Sequence, residues 1–248
     1  MNLSISKNKV QLGALAAKKG ASLINEAIKE KGFATIIVAT GASQFEMLEA
    51  LLKEDIDWTK VEAFHLDEYI GVPVTHPASF RKYLKERFVD KIGNLKDFHY
   101  IAGDVPDVNK ELERLASLIS SKKVDVAFVG VGENGHLAFN DPPADFDTEK
   151  PYSVVNLDDV CRKQQLGEGW FPSFDDVPKQ AISMGVRQIM KSKHIINTIP
   201  DARKAVAVQG SLTGAVTNMC PASILQTHPS CYWFLDVDSA SLLPKDFA

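Results

Sequence analysis

Ala34-Thr35-Ile36-Ile37-Val38-Ala39 is apolar or β-branched at every position, and Thr40-Gly41-Ala42-Ser43-Gln44 follows it directly. A strand that is hydrophobic on both faces belongs inside a parallel sheet covered by helices on either side. Upstream, Val10, Leu12, Ala14, Leu15, Ala17, Leu23, Ile24, Ala27 and Ile28 recur at helical spacing and stop at Gly32. Downstream, Phe45, Leu48 and Leu52 resume that spacing. The unit is helix, buried strand, short loop, helix.

Working outward, the same alternation predicts strands over 61–66, 124–130, 194–199 and 231–235, and helices over 79–88, 111–121 and 202–217. Strands separated by helices require crossover connections, hence an α/β fold with a central, mainly parallel sheet flanked by helices. Nothing interrupts the series, so one domain is expected over 1–248. The single long irregular stretch, 140–179, is rich in Pro, Asp and Gly, contains Trp170 and Phe171, and is expected to hold a lid.

The composition fits one sizeable core: of 248 residues, 45% are hydrophobic and 24% charged. Lys and Arg number 28 against 32 Asp and Glu, a formal charge of -4, which offers no whole-chain attraction to nucleic acid or an anionic membrane. Cys161, Cys220 and Cys231 are an odd number without metal-ligand spacing and read as reduced thiols of a cytoplasmic protein. The N-terminal segment has no apolar run of the kind that directs secretion, and no stretch approaches the roughly 20 apolar residues of a membrane span.

In such folds ligands sit beyond the carboxyl ends of the strands. Three segments fall there. Thr40, Gly41, Ala42, Ser43 and Gln44 combine small residues, hydroxyls and a following helix N-terminus, a setting for a phosphate, although Ser43 read alone is an ordinary helix cap. His65-Leu66-Asp67-Glu68-Tyr69 places Asp67 as a candidate general base; taken singly, the plainer reading makes Asp67 a loop cap and Glu68 a solvated charge. His65, within the strand, is read as a satisfied packing histidine. Gly130-Val131-Gly132-Glu133-Asn134-Gly135-His136-Leu137-Ala138-Phe139-Asn140-Asp141-Pro142 brings His136 beside Asn134 and Asp141 on a glycine-rich turn, where an imidazole can move protons near neutral pH. GVGENG matches a dinucleotide fingerprint by letter, but the acidic ribose partner lacks a clear following strand.

Taken together, LDEYIGVPVTHPASF (66–80), GVGENGHLAFNDP (130–142) and KAVAVQGSLTGAV (204–216) resemble the glucosamine-6-phosphate deaminase/isomerase family, in this order and across nearly the whole chain. The resemblance implies a modified Rossmann-like fold and conversion of glucosamine 6-phosphate to fructose 6-phosphate and ammonia, without metal or organic cofactor. It implies that Asp67 shuttles a proton between C2 and C1 and that His136, positioned by Asn134 and Asp141, assists ring opening. Thr40 to Gln44 and Lys204 would take the phosphate, with Glu68 and Gly132 in the substrate pocket.

The chain departs from that pattern. Asn134 stands where an aspartate is usual and Asp141 where a glutamate is usual, so Asn134 accepts a hydrogen bond but brings no charge to an imidazolium. The usual lid arginine has no clean counterpart, and Arg162 in CRKQQLGEGWF is its substitute. Pro143-Ala144-Asp145-Phe146-Asp147 is acidic where allosterically activated hexamers of the family are basic, so no such activation is expected, and self-association is left open. The alternatives are galactosamine 6-phosphate as substrate, a related 6-phosphogluconolactonase, and a non-catalytic sugar-phosphate-binding regulator. DEY and AFNDP favour the deaminase over the lactonase.

Overall fold

In the computed structural model, which describes residues 2–245 and Phe247, the helix upstream of the first buried strand is α1 (Lys9–Lys31). The Asn8 side chain caps it by accepting the Gln11 N–H at 3.0 Å, and Gly32, at φ +84°, ends it by donating its own N–H to the Ile28 carbonyl at 2.8 Å.

Seven strands form the central sheet: β1 (Asn2–Ser6), β2 (Ala34–Val38), β3 (Val61–His65), β5 (Asp97–His99), β6 (Val126–Val129), β9 (His194–Ile199) and β10 (Cys231–Asp236). Their order is β1-β10-β9-β6-β2-β3-β5, and every neighbouring pair is parallel. Alternation along β2 divides the core. Ile36 and Val38 pack with Leu12 and Ile24 of α1, whereas Ile37 packs on the other face with Phe64, Val129, Ile195 and Trp233. A second sheet, antiparallel and ordered β4-β8-β7, is built from β4 (Asp67–Tyr69), β7 (Tyr152–Asn156) and β8 (Gln180–Met184). Beneath it Tyr69, Phe80, Phe139, Cys161 and Phe171 make a third apolar cluster.

The remaining helices are α2 (Phe45–Leu51), α3 (Phe80–Leu84), α4 (Asp90–Ile92), α5 (Val108–Ile119), α6 (Asp159–Gly167), α7 (Val186–Met190) and α8 (Ala205–Thr213). Several differ from the sequence reading. The helix expected over 79–88 widens after α3 into a π turn at Lys85–Val89. The one expected over 202–217 begins with a 3-10 turn, Ala202–Lys204, and ends where Gly214 turns extended. The stretch 140–179 is not irregular, since it carries β7 and α6. Short, half-exposed β1 and β5 lack the continuous apolar run by which the central strands announce themselves. Among the described residues no helix is long and apolar enough to cross a membrane.

Candidate active site

The loops leaving β2, β3, β6 and β9 converge at the carboxyl edge of the sheet on one cavity of about 220 Å³. Thr40, Gly41, Ala42 and Ser43 form one wall, Asp67 another, Gly132 and His136 a third, and Arg203 and Lys204 a fourth; Lys9, Gln164, Gln165 and Glu168 complete the lining.

Asp67 opens β4, whose antiparallel pairing with β8 sets it opposite Ser183 and fixes its backbone. It is 6% exposed, and among the described residues the one hydrogen bond to its side chain is from the Thr40 hydroxyl, which donates to Oδ1 at 3.5 Å. Burial, with the neighbouring Glu68 charge adding to it, pushes Asp67 up to about 8. That is the range in which a carboxyl can take and return a proton near neutral pH.

Glu68 is neither a solvated charge nor a cavity residue. It is fully buried. Oε1 accepts the N–H groups of Tyr69 (2.9 Å) and Phe80 (3.2 Å), while Oε2 accepts the Ser79 hydroxyl (3.0 Å) and the Arg81 N–H (2.8 Å). It therefore anchors the start of α3, and the expectation that it binds substrate is corrected. Burial pushes Glu68 up to about 7 against these donors. Four donors suit an ionised acceptor, so in this adjacent pair the charge belongs on Glu68 and the proton on Asp67. His65 is satisfied on one side only: Nδ1 accepts the Ile101 N–H at 3.3 Å, Nε2 has no partner, and burial pulls the ring down to about 3.

His136 Nδ1 lies 3.0 Å from Asp141 Oδ1, which fixes the tautomer and leaves Nε2 for the cavity. A Cβ on Gly132 would come within 2.2 Å of the ring, so the glycine is what lets the imidazole lie against the turn. Asn134 does not touch the ring. Its Oδ1 accepts the His136 backbone N–H at 3.0 Å, and its Nδ2 donates to Asp141 Oδ1 (2.9 Å) and Asp158 Oδ2 (3.0 Å). The charge that Asn134 lacks comes from Asp141. Although burial by itself would raise Asp141, the His136 hydrogen bond and charge and the donors at Asn134 and Asp158 hold it below its ordinary value.

In the turn after β2 Gly41 adopts φ +93°, a conformation open to glycine, before the 3-10 turn Ala42–Gln44. The Gln44 side chain turns inward, contrary to its assignment as a ligand. Its Nε2 donates to Ser43 Oγ at 3.0 Å and its Oε1 accepts the Thr198 hydroxyl at 2.9 Å, so it props the loop from behind. Lys204 lines the cavity at 6% exposure; burial pulls its pKa down against the opposing charge of Glu168.

Arg162 is not in the cavity. Its guanidinium donates to the carbonyls of Phe174 (2.8 Å) and Val177 (3.0 Å) and lies 4.0 Å over the Phe174 ring, tying α6 to the segment that follows. Its assignment as the phosphate arginine is thereby corrected: the same planar fork that suits phosphate is used up on carbonyls.

Two groups of metal-type donors exist among the described residues. His136 and Asp141 are joined by the bond above, and the Cys161 thiol beside them is kept protonated by burial. Glu62, Asp97 and His99 lie outside the cavity lining, and Glu62 is engaged by Lys122 at 2.8 Å and His99 at 2.8 Å.

Sequence reasoning missed Lys9, Gln164, Gln165, Glu168 and Arg203 as cavity residues. Only Glu168 carried a local signal, an acid between two glycines in the run where a basic residue was sought.

Known proteins resemble this chain along nearly its whole length. The model of the family "Glucosamine-6-phosphate isomerases/6-phosphogluconolactonase" matches residues 7–233. A glucosamine-6-phosphate deaminase of Oenococcus oeni is 35% identical over 99% of this chain and 100% of its own length, and one of Bacillus thuringiensis is 32% identical over 100% and 91%. Among solved structures, a monomeric glucosamine-6-phosphate deaminase superposes with a TM-score of 0.88 at 30% identity, covering 98% of this chain and 100% of its own. The 6-phosphogluconolactonase of Thermotoga maritima shares the fold alone, with a TM-score of 0.78 at 17% identity over 95% of this chain and 99% of its own.

Proposed function

We propose that this chain, which belongs to the glucosamine-6-phosphate isomerase/6-phosphogluconolactonase family, is a glucosamine-6-phosphate deaminase. The observation that carries this reading is the convergence of Asp67, His136, the Thr40–Ser43 turn and Lys204 on one cavity. Full-length kinship with deaminases at 35% and 32% identity supports the reaction, whereas the lactonase of Thermotoga maritima, at 17%, shares only the fold.

His136, held by Asp141, moves the proton that opens the sugar ring. Ionised Asp67 then takes the C2 proton and returns it to C1, passing the double bond through an enolamine to a C2 imine. Water adds to that imine, the C–N bond breaks, and fructose 6-phosphate and ammonia leave. Lys204 and the hydroxyls and N–H groups of Thr40–Ser43 hold the phosphate, where charge-assisted hydrogen bonds are the strong ones. Gln164, Gln165 and Glu168 line the cavity from α6 and the residue after it, which supports reading that segment as a lid. Three unpaired thiols fit a reducing, cytoplasmic setting.

The test is incubation with glucosamine 6-phosphate, following ammonia and fructose 6-phosphate, with Asp67→Asn as control. Equal amounts of both products, lost in the variant, are expected. Turnover of galactosamine 6-phosphate or a phosphogluconolactone with none of glucosamine 6-phosphate would replace this reading, and saturable binding without turnover of any of them would make the protein a binder.

A further inference from the structure

Glu168 directly follows α6, and its two oxygens fare differently. Oε1 accepts the Gln164 side-chain N–H at 3.2 Å. Oε2 is shielded from solvent and among the described residues has no hydrogen-bond partner, although Glu168 lines the cavity and Oε2 would lie 4.0 Å from a Cβ on Gly41. An orphaned buried carboxylate oxygen is costly unless something completes it. Here it is aimed at the turn proposed to hold the phosphate.

The charges around it sharpen the point. Lys9 is paired with Glu46 at 2.9 Å, and Arg203 with Asp201 at 3.2 Å and Glu133 at 3.7 Å. Lys204 lies buried in the opposite wall, and among the described residues its ammonium forms no hydrogen bond or ion pair with the protein. Glu168 acts on Lys204 and Arg203 through its field, with no contact to either close enough for an ion pair. The uncommitted charges at this end of the cavity are therefore one cation and one anion. That pair suits an anion that still carries a proton and repels a dianion.

We infer that Glu168 is a specificity-determining residue that selects the monoprotonated phosphate group. The P–OH donates to Glu168 Oε2 while Lys204 and the Thr40–Ser43 turn hold the ionised oxygens. This rests on the reading above in one respect, that the phosphate lies between Gly41 and Lys204.

Binding of inorganic phosphate to the whole protein, measured by calorimetry between pH 5.5 and 8, tests it without requiring turnover. Phosphate loses its second proton within that interval. Among the described residues the titratable groups facing the site are Lys9, Asp67, Tyr83, Glu133, His136, Asp201, Arg203 and Lys204; Asp67 also ionises there and weakens anion binding in every variant that retains it. The readout is thus the difference between wild type and Glu168→Gln, which keeps an oxygen for Gln164. Wild-type affinity is expected to fall at least ~10-fold across the interval, and the fall in Glu168→Gln to be ~5-fold smaller, because the variant accepts the dianion. Lys204→Met should abolish binding in both backgrounds. Identical pH profiles in wild type and Glu168→Gln, binding unaffected by Lys204→Met, or no phosphate binding by wild type at any pH would each overturn the inference. Turnover of glucosamine 6-phosphate with identical profiles would sink the inference and leave the function standing. A Glu168-dependent profile without turnover would do the reverse.

Discussion

At the scale of the residue, the buried Asp67–Glu68 pair ties the proposed chemistry to the pH dependence of stability. Folded Asp67 keeps its proton up to about 8, whereas at its ordinary value of 3.8 the unfolded chain would already have released it. Between those limits the unfolded state binds fewer protons, so stability falls as pH rises and levels off above about 8. Asp67→Asn is expected to remove the Asp67 share of that slope, leaving the share that Glu68, raised to about 7, contributes, and to stabilise the protein at pH 8 by on the order of a few kcal/mol, measured by denaturant unfolding at pH 4, 6 and 8. The same variant should lose turnover by roughly 100- to 10,000-fold. In the wild type kcat/KM should climb with pH toward a midpoint near 8, where free Asp67 becomes the base. An ascending limb near 4 would show that Asp67 is ionised in the free enzyme and would overturn the assignment of charge within the pair. Asp67 and His136 could be singled out in the sequence because each follows a buried strand. That Glu68 serves α3 could not, since its donors at Ser79, Phe80 and Arg81 come from a separate element.

At the scale of the element, α6 and the turn Ala202–Lys204 make opposite predictions. Arg162→Ala unties α6 from Phe174 and Val177; among the described residues it leaves the buried Val177 carbonyl without a donor, while the Phe174 carbonyl keeps the Val177 N–H at 3.2 Å. A loss of about 1–3 kcal/mol is expected, with amide exchange in 159–177 accelerating most in a mass-spectrometric map. Lys204→Met removes a buried ammonium that lacks a protein partner and should melt no lower than wild type, while KM for the sugar phosphate rises by ~10- to 100-fold. A fall in melting temperature without a change in KM would make Lys204 structural. These elements were unequally legible. β2 and its loop could be read directly because they are buried on both faces and followed by glycine. β7 and α6 were hidden in a Pro- and Asp-rich stretch, since β7 alternates buried with exposed residues at the edge of the small sheet and α6 is mainly polar, holding to its neighbours through Arg162 and Gln164.

At the scale of the whole molecule, the sheet order β1-β10-β9-β6-β2-β3-β5 puts the ends of β2, β3, β6 and β9 at one edge, and so makes a single site from loops far apart in the chain. The acidic segment Asp145-Phe146-Asp147 is held partly by its own turn, Asp145 accepting N–H groups from Asp147 (2.8 Å) and Thr148 (2.9 Å), and partly by Arg187, which donates to the Phe146 carbonyl at 2.8 Å. It presents acid where an anionic effector would need base. Initial-rate curves are therefore expected to be hyperbolic and unchanged by N-acetylglucosamine 6-phosphate; a sigmoidal curve made hyperbolic by that sugar would refute this.

Apolar periodicity and glycine placement determined the fold class, since a strand hydrophobic on both faces has few places to go, and they determined which loops follow the central strands. What tertiary structure alone decided is which side of each loop faces the ligand. Gln44 and Glu68 stand one residue from Ser43 and Asp67, yet both are spent inside the protein, on Thr198 and Ser43 and on the start of α3. Glu168 and Lys9, distant in sequence, reach the cavity. Buried partners from other elements draw Gln44 and Glu68 away from the cavity, and such partners exist only once the sheet has assembled.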